Sequence, residues 1–141
     1  MSIERTREVM SRYWDSEHRD LSMMADDVVF TNMATGDEHH GPDGVRRMLD
    51  YIYHEAFDAS AEIRSRIYTD DQAVLEGNFV GKHTGEFAGV AATGRSVRVP
   101  LCVVYDLENG RVKRARIYFE MPALLRQLGA ADAEATVTSG T

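Results

Sequence analysis

The feature that most narrows the fold is Asn109-Gly110, set between two strand-like runs, Val97 to Leu107 and Arg111 to Glu120. Such a dipeptide takes the positive backbone angles of a two-residue hairpin turn, so the two runs pair antiparallel. With Glu108 opposite Arg111, a register follows in which Val103 faces Arg116, Leu101 faces Tyr118 and Val99 faces Glu120. Upstream, Ala61, Ile63, Ser65 and Ile67 alternate with Glu62, Arg64, Arg66 and Tyr68, which is again a strand period. Asp70-Asp71 turns the chain into a run from Ala73 to His83. Thr84 to Arg95 holds Gly85, Gly89 and Gly94 and reads as a loop.

The first half is patterned for helices. Val9, Met10, Tyr13 and Trp14 form one stripe of an amphipathic helix from Ile3 to about Asp15. A short second helix is expected with Leu21 and Met24 inward, broken by Asp26-Asp27, and Val28-Val29-Phe30 follows as a short strand. Pro42 opens a third helix, in which Val45, Met48, Leu49, Ile52 and Tyr53 repeat until about Phe57. Pro122 to Leu128 makes a last short helix. Helices followed by antiparallel strands predict an α+β cone: a strongly bent antiparallel or mixed sheet, closed barrel-like by the N-terminal helices around a pocket. Residues 1–129 form the single domain, and 130–141, rich in Ala, Thr, Ser and Gly, read as a disordered tail.

Composition removes several classes of function. A net charge of −7 over 141 residues disfavours a nucleic-acid partner. The longest apolar run, Val99 to Tyr105, is too short to span a membrane. Ser2-Ile3-Glu4-Arg5 shows no secretory signal, and the lone Cys102 fits a reduced compartment, so a cytoplasmic location is expected. Phosphate-loop and serine-elbow motifs are missing, and the adjacent His39 and His40 have poor spacing for a shared metal. No metal or cofactor is expected.

The hairpin register groups Glu120 with Tyr118, Leu101 and Val99. Burial there raises a carboxyl pKa toward neutrality, which suits general acid–base work. The competing reading is a carboxylate that caps the following helix or pairs with Arg114 or Arg116. His83 shares its strand face with Leu75 and Phe79 and is a second candidate proton carrier, or else a backbone-bonded histidine. Tyr13, Trp14 and Phe30 are candidate ligand contacts, and for the helical stripe a plain core role competes. His40 at the rim, Leu101, Val103, Arg116 and Tyr118 complete the expected lining. His18 and His54 read as helix-surface residues.

These segments resemble the SnoaL-like polyketide cyclases, a branch of the nuclear-transport-factor-like superfamily that also holds ketosteroid isomerase. The likeness runs from Tyr13-Trp14 through Ala25 to Phe30 and on to Leu124 to Gly129. Its most specific parts are G-K-H-T-G-E-F at 81–87, T-G-R at 93–95, G-R-V at 110–112 and I-Y-F-E at 117–120. The resemblance implies a cofactor-independent intramolecular aldol ring closure on a hydrophobic cyclic molecule. It gives Glu120 the place of the family's last-strand carboxylate, an Asp. It implies alternatives as well: ketosteroid-isomerase-like proton transfer with Tyr13 as oxyanion donor, or a non-catalytic binding or dimerisation module. It further implies a homodimer through the outer sheet face, which the register above assigns to Pro100, Cys102, Val104, Ala115, Ile117 and Phe119.

Overall fold

The computed structural model describes residues 2–129; the tail call at 130–141 lies outside the described residues. Helix α1 (Ile3–Asp15) begins at Ser2, whose side chain accepts the Arg5 N–H at 3.1 Å. Such a cap is worth about 1 kcal/mol. Burial of Val9, Met10, Tyr13 and Trp14, each worth roughly 1.5–3 kcal/mol, outweighs it. Packing therefore holds this helix in place.

No second helix follows. Ser16 Oγ accepts the N–H groups of Arg19 and Asp20, and Asp20 accepts that of Ser22. These short polar side chains satisfy the backbone locally and leave a turn instead. Strand β1 (Met24–Asn32) therefore starts early and contains Asp26-Asp27. Strand β2 (Glu38–His40) leads into α2 (Gly41–Asp50), which continues as a single π-helical turn over Tyr51–Glu55. Strands β3 (Phe57–Tyr68), β4 (Gln72–His83), β5 (Ser96–Glu108) and β6 (Arg111–Phe119) follow, then helix α3 (Met121–Gln127).

The six strands lie in the order β2-β1-β6-β5-β4-β3, antiparallel except for the parallel β1–β6 pair. The sheet is curled and mixed, as the sequence predicts, but open, with β2 and β3 as its edges. One source of the bend is visible at Gly77. It sits opposite Ile63, beside the irregularity where β3 slips from Ile63 to Ser65. A Cβ on Gly77 would overlap the Glu62 carbonyl, so this close strand approach requires glycine. The slip also breaks the alternation read from Ala61 to Tyr68: Arg66 and Tyr68 take the inner face, and Ile67 is left 54% exposed.

A second slip corrects the hairpin register. Asn109 and Gly110 do form the tight turn, with φ of 53° and 74°, and Glu108 pairs with Arg111. Leu107 then pairs with Val112, but Asp106 pairs with Arg114, so Lys113 is an extra residue. Such a bulge moves every later side chain of that strand to the opposite face. Val103 faces Ile117 and Leu101 faces Phe119. The inner face of β6 is thus Ala115, Ile117 and Phe119, residues expected outside; Arg116, Tyr118 and Glu120 take the outer face.

The concave side holds two apolar clusters. One joins α1 to Val28, Phe30, Val103, Tyr105 and Ala115; the other surrounds Phe57, Phe79, Phe87, Val99 and Leu124.

Candidate functional site

A cavity of about 770 Å³ lies between the concave sheet face, α1 and the α2–π helix, within the size range of small-molecule sites. Phe30, Leu75, Phe79, Leu101, Val103, Ile117 and Phe119 give it an apolar floor. Asp37, Glu38, His40 and Arg47 are exposed and mark its polar rim. The π-helical turn contributes Ile52 and Tyr53, and the loop at 84–95 contributes Phe87 and Ala88.

One wall concentrates the chemistry. Tyr13, His18, Tyr53 and Tyr105 all line the cavity. The His18 ring stacks on Tyr53 with centroids 5.0 Å apart and meets Tyr13 edge-on at 5.1 Å. Tyr13 and Tyr105 meet edge-on at 6.1 Å. Burial raises the pKa of Tyr13 well above its ordinary value, with Tyr105 adding to the effect, and burial likewise raises those of Tyr53 and Tyr105. All three therefore stay protonated phenols, able to donate hydrogen bonds. Burial also lowers the pKa of His18 to about 4, which keeps its imidazole neutral near pH 7. The wall thus carries hydrogen-bonding groups and no formal charge.

His18 is the residue that the periodicity misplaces on a helix surface. Helix α1 stops at Asp15, and Glu17 and His18 take φ of 56° and 64°. That left-handed pair turns the chain back so that the imidazole folds under Tyr53. No spacing rule marks it in the sequence. The histidine pair at the rim differs in orientation. His39 pairs with Phe30 across β1–β2 and shares its inward face, and burial lowers its pKa while nearby Asp37 opposes that shift. His40 lies 3.2 Å from Glu38 and is exposed.

Of the residues singled out in the sequence, Tyr13, Phe30, His40, Leu101 and Val103 line the cavity. Trp14 does not; it is core, packed on Tyr105 and Tyr68 with the Arg66 guanidinium over its ring. Arg116 is held outside by a two-point ion pair with Asp106, one contact being 2.5 Å. Tyr118 is 44% exposed, and Glu120 is exposed beside it in an outer-face groove of about 680 Å³ that also holds Arg64 and Arg98. The Lys113 bulge puts Arg116, Tyr118 and Glu120 on the outer face. Glu120 occupies the N-cap position of α3 without a side-chain capping bond. His83 is fully buried, but its ring lies behind the cavity, against Phe57 at 5.1 Å. Among the described residues, no three His, Cys, Asp or Glu side chains gather to hold a metal ion, and no helix is long and apolar enough to cross a membrane.

No curated protein matches the sequence. Solved structures do match its fold. A SnoaL-like polyketide cyclase candidate from Jannaschia sp. CCS1 superposes with a TM-score of 0.81 at 19% identity, covering 91% of this chain and 94% of that one. TsrD from Streptomyces laurentii gives 0.76 at 23% identity, with 92% and 98% covered. A protein of ketosteroid isomerase-like fold from Catenulispora acidiphila, solved with trimethylamine, gives 0.70 at 14% identity, with 88% and 94% covered. The family model for SnoaL-like polyketide cyclase matches residues 4–128. With that match spanning nearly all of the described fold, the chain belongs to the SnoaL-like polyketide cyclase family.

Proposed function

We propose that this protein is a cofactor-independent acid–base enzyme acting on a hydrophobic cyclic carbonyl compound, with a polyketide-cyclase-like intramolecular aldol ring closure as its reaction. The observation that carries the reading is the phenol–imidazole wall of Tyr13, Tyr105 and His18 on an otherwise apolar cavity. In the reaction a base removes the proton α to a carbonyl. The resulting carbanion forms the C–C bond to a second carbonyl of the same molecule, and the new alkoxide regains a proton. Neutral phenols suit the enolate oxygen, since donors in a dry site strengthen as charge develops there.

The base in this reading is His39, in place of Glu120. Glu120 lies across the sheet from the cavity, whereas His39 lines it. His18 is the poorer proton acceptor: at about 4, its pKa puts the imidazolium roughly 4 kcal/mol uphill at pH 7. It serves as a neutral hydrogen-bonding group beside the phenols, a role for which neutral imidazole is suited. Ketosteroid-isomerase-like proton transfer is the second reading. It is favoured by the placement of Tyr13 at the cavity wall, and it uses the same groups with the proton returned to a different carbon.

The test is proton exchange in deuterated buffer. Aromatic polyketide methyl esters, 2-tetralone and steroid enones are incubated with the protein, and α-deuteration is followed by NMR. Protein-dependent exchange, lost in Tyr13→Phe, is the expected result. Binding without exchange across the panel would leave a small-molecule-binding module.

The proposed assembly is a homodimer through the outer sheet face. That face carries Val74, Cys102, Val104 and Ile67 together with Tyr118, a mixed rather than purely apolar surface.

A further inference from the structure

His83 leads into the segment 84–95, which contributes Phe87 and Ala88 to the cavity and carries Thr93 on its return limb. The segment is pinned at several points. Thr84 and Gly85 both donate their N–H groups to the Ala56 carbonyl at 3.0 Å, and the Tyr51 hydroxyl donates to the Glu86 carbonyl at 2.6 Å. Phe87 packs edge-on against Phe57 at 5.3 Å and closes a tight turn with Val90. The return limb is tied to His83. Its backbone N–H donates to the Arg95 carbonyl, the Gly94 N–H donates to its carbonyl, and the Thr93 N–H donates to its ring Nδ1 at 3.1 Å.

That last bond fixes the state of the ring. A backbone N–H can only donate, so Nδ1 must be the unprotonated nitrogen, and the neutral ring carries its proton on Nε2. Nε2 is buried and has no hydrogen-bond partner among the described residues. An imidazolium in this position would set its Nδ1–H against the Thr93 N–H, leave Thr93 Oγ1 as the acceptor within reach, and bury a charge among apolar side chains. The surroundings offer little to relieve that. The facing side chain on β3 is Phe57, and Leu124 and Leu128 of the α3 region belong to the same cluster. The charged side chains of the adjoining segments, Glu55, Asp58, Lys82, Arg95 and Arg126, are exposed.

We infer that His83 is a positioning residue: its neutral imidazole latches the 84–95 flap, and with it Phe87, onto the cavity, and conversion to the imidazolium releases the flap. His83 then acts on the ligand through Phe87 rather than by touching it. The consequence for ligand access rests on the function proposed above; the latch itself does not.

The experiment follows the latch directly by NMR on the full chain. Long-range 1H–15N spectra report the His83 tautomer, and amide exchange, corrected for the intrinsic pH dependence, reports Thr93, Phe87 and, as a control in mid-sheet, Tyr105. The neutral ring is expected in the Nε2–H form. As the pH is lowered through formation of the His83 imidazolium, Thr93 protection should fall about tenfold, as for loss of one such bond, while Tyr105 keeps its protection. His83→Asn places an amide oxygen near the Nδ1 position, so it should keep Thr93 protected without any such transition. His83→Phe should lose the protection at every pH. An Nδ1–H tautomer would overturn the latch. So would an imidazolium that leaves Thr93 protected by donating to Thr93 Oγ1, which lies 3.0 Å from Nδ1. A transition that persists in His83→Asn would overturn it equally. Since no ligand is used, these outcomes are separate from success or failure of the α-deuteration test.

Discussion

Val103 stands opposite Ile117 across the β5–β6 ladder, and Arg116 stands opposite Val104. This pairing makes the inner face of the last two strands wholly uncharged and moves Glu120 to the far side of the sheet. The phenol and imidazole groups that line the cavity come instead from α1, the turn after it, β2, the π-helical turn and, for Tyr105, β5.

Exchange of Glu120 for Gln is expected to leave α-proton exchange unchanged and stability within about 0.5 kcal/mol, as for an exposed side chain that makes no capping bond. Turnover and urea denaturation measured side by side would check it. A large rate loss in a stable variant would return the carboxylate to the mechanism.

Tyr13→Phe and Tyr105→Phe should each lower the exchange rate on the order of 100-fold, the usual consequence of removing one donor to a developing oxyanion. Binding of a neutral ketone, read by calorimetry, should change far less. If affinity and rate fall together by the same factor, the phenols bind the ground state only.

His18 makes stability depend on pH in a defined window. Its folded pKa, about 4, lies below the ordinary histidine value of 6.5, so between those values the unfolded chain holds a proton that the folded chain does not. Its contribution is complete above pH 6.5 and is lost as the pH falls toward 4, by at most about 3 kcal/mol. His18→Asn should flatten that part of the curve, as denaturant titrations at pH 4.5, 5.5 and 7 would show. Parallel curves for the two proteins would mean that the imidazole titrates as if in water.

Gly77→Ala should destabilise the fold by about 1–3 kcal/mol, because the added methyl group meets the Glu62 backbone rather than a side chain that can move aside. Thermal unfolding gives the number. A neutral result would mean that β3 can lift at its slip without cost.

The assembly is open to light scattering. A dimer, twice the 15.8 kDa of the chain, is expected at micromolar concentration, with Val104→Glu shifting it toward monomer. A monomeric wild type would remove the proposed interface.

The sequence by itself determined the helix-then-strand order, the tight turn at Asn109-Gly110 and the membership of the family, because periodicity and turn chemistry are local and act over a few residues. It also marked Tyr13, Phe30, Leu101 and Val103, whose apolar bodies belong on an inner face. Only the tertiary structure decided where the polar groups go. One extra residue at Lys113, invisible in the alternation, reverses the facing of Arg116, Tyr118 and Glu120, because side chains alternate with a period of two. Likewise a left-handed turn at Glu17 and His18 brings a histidine under Tyr53. That position depends on contacts between segments far apart in the chain, which no local pattern encodes.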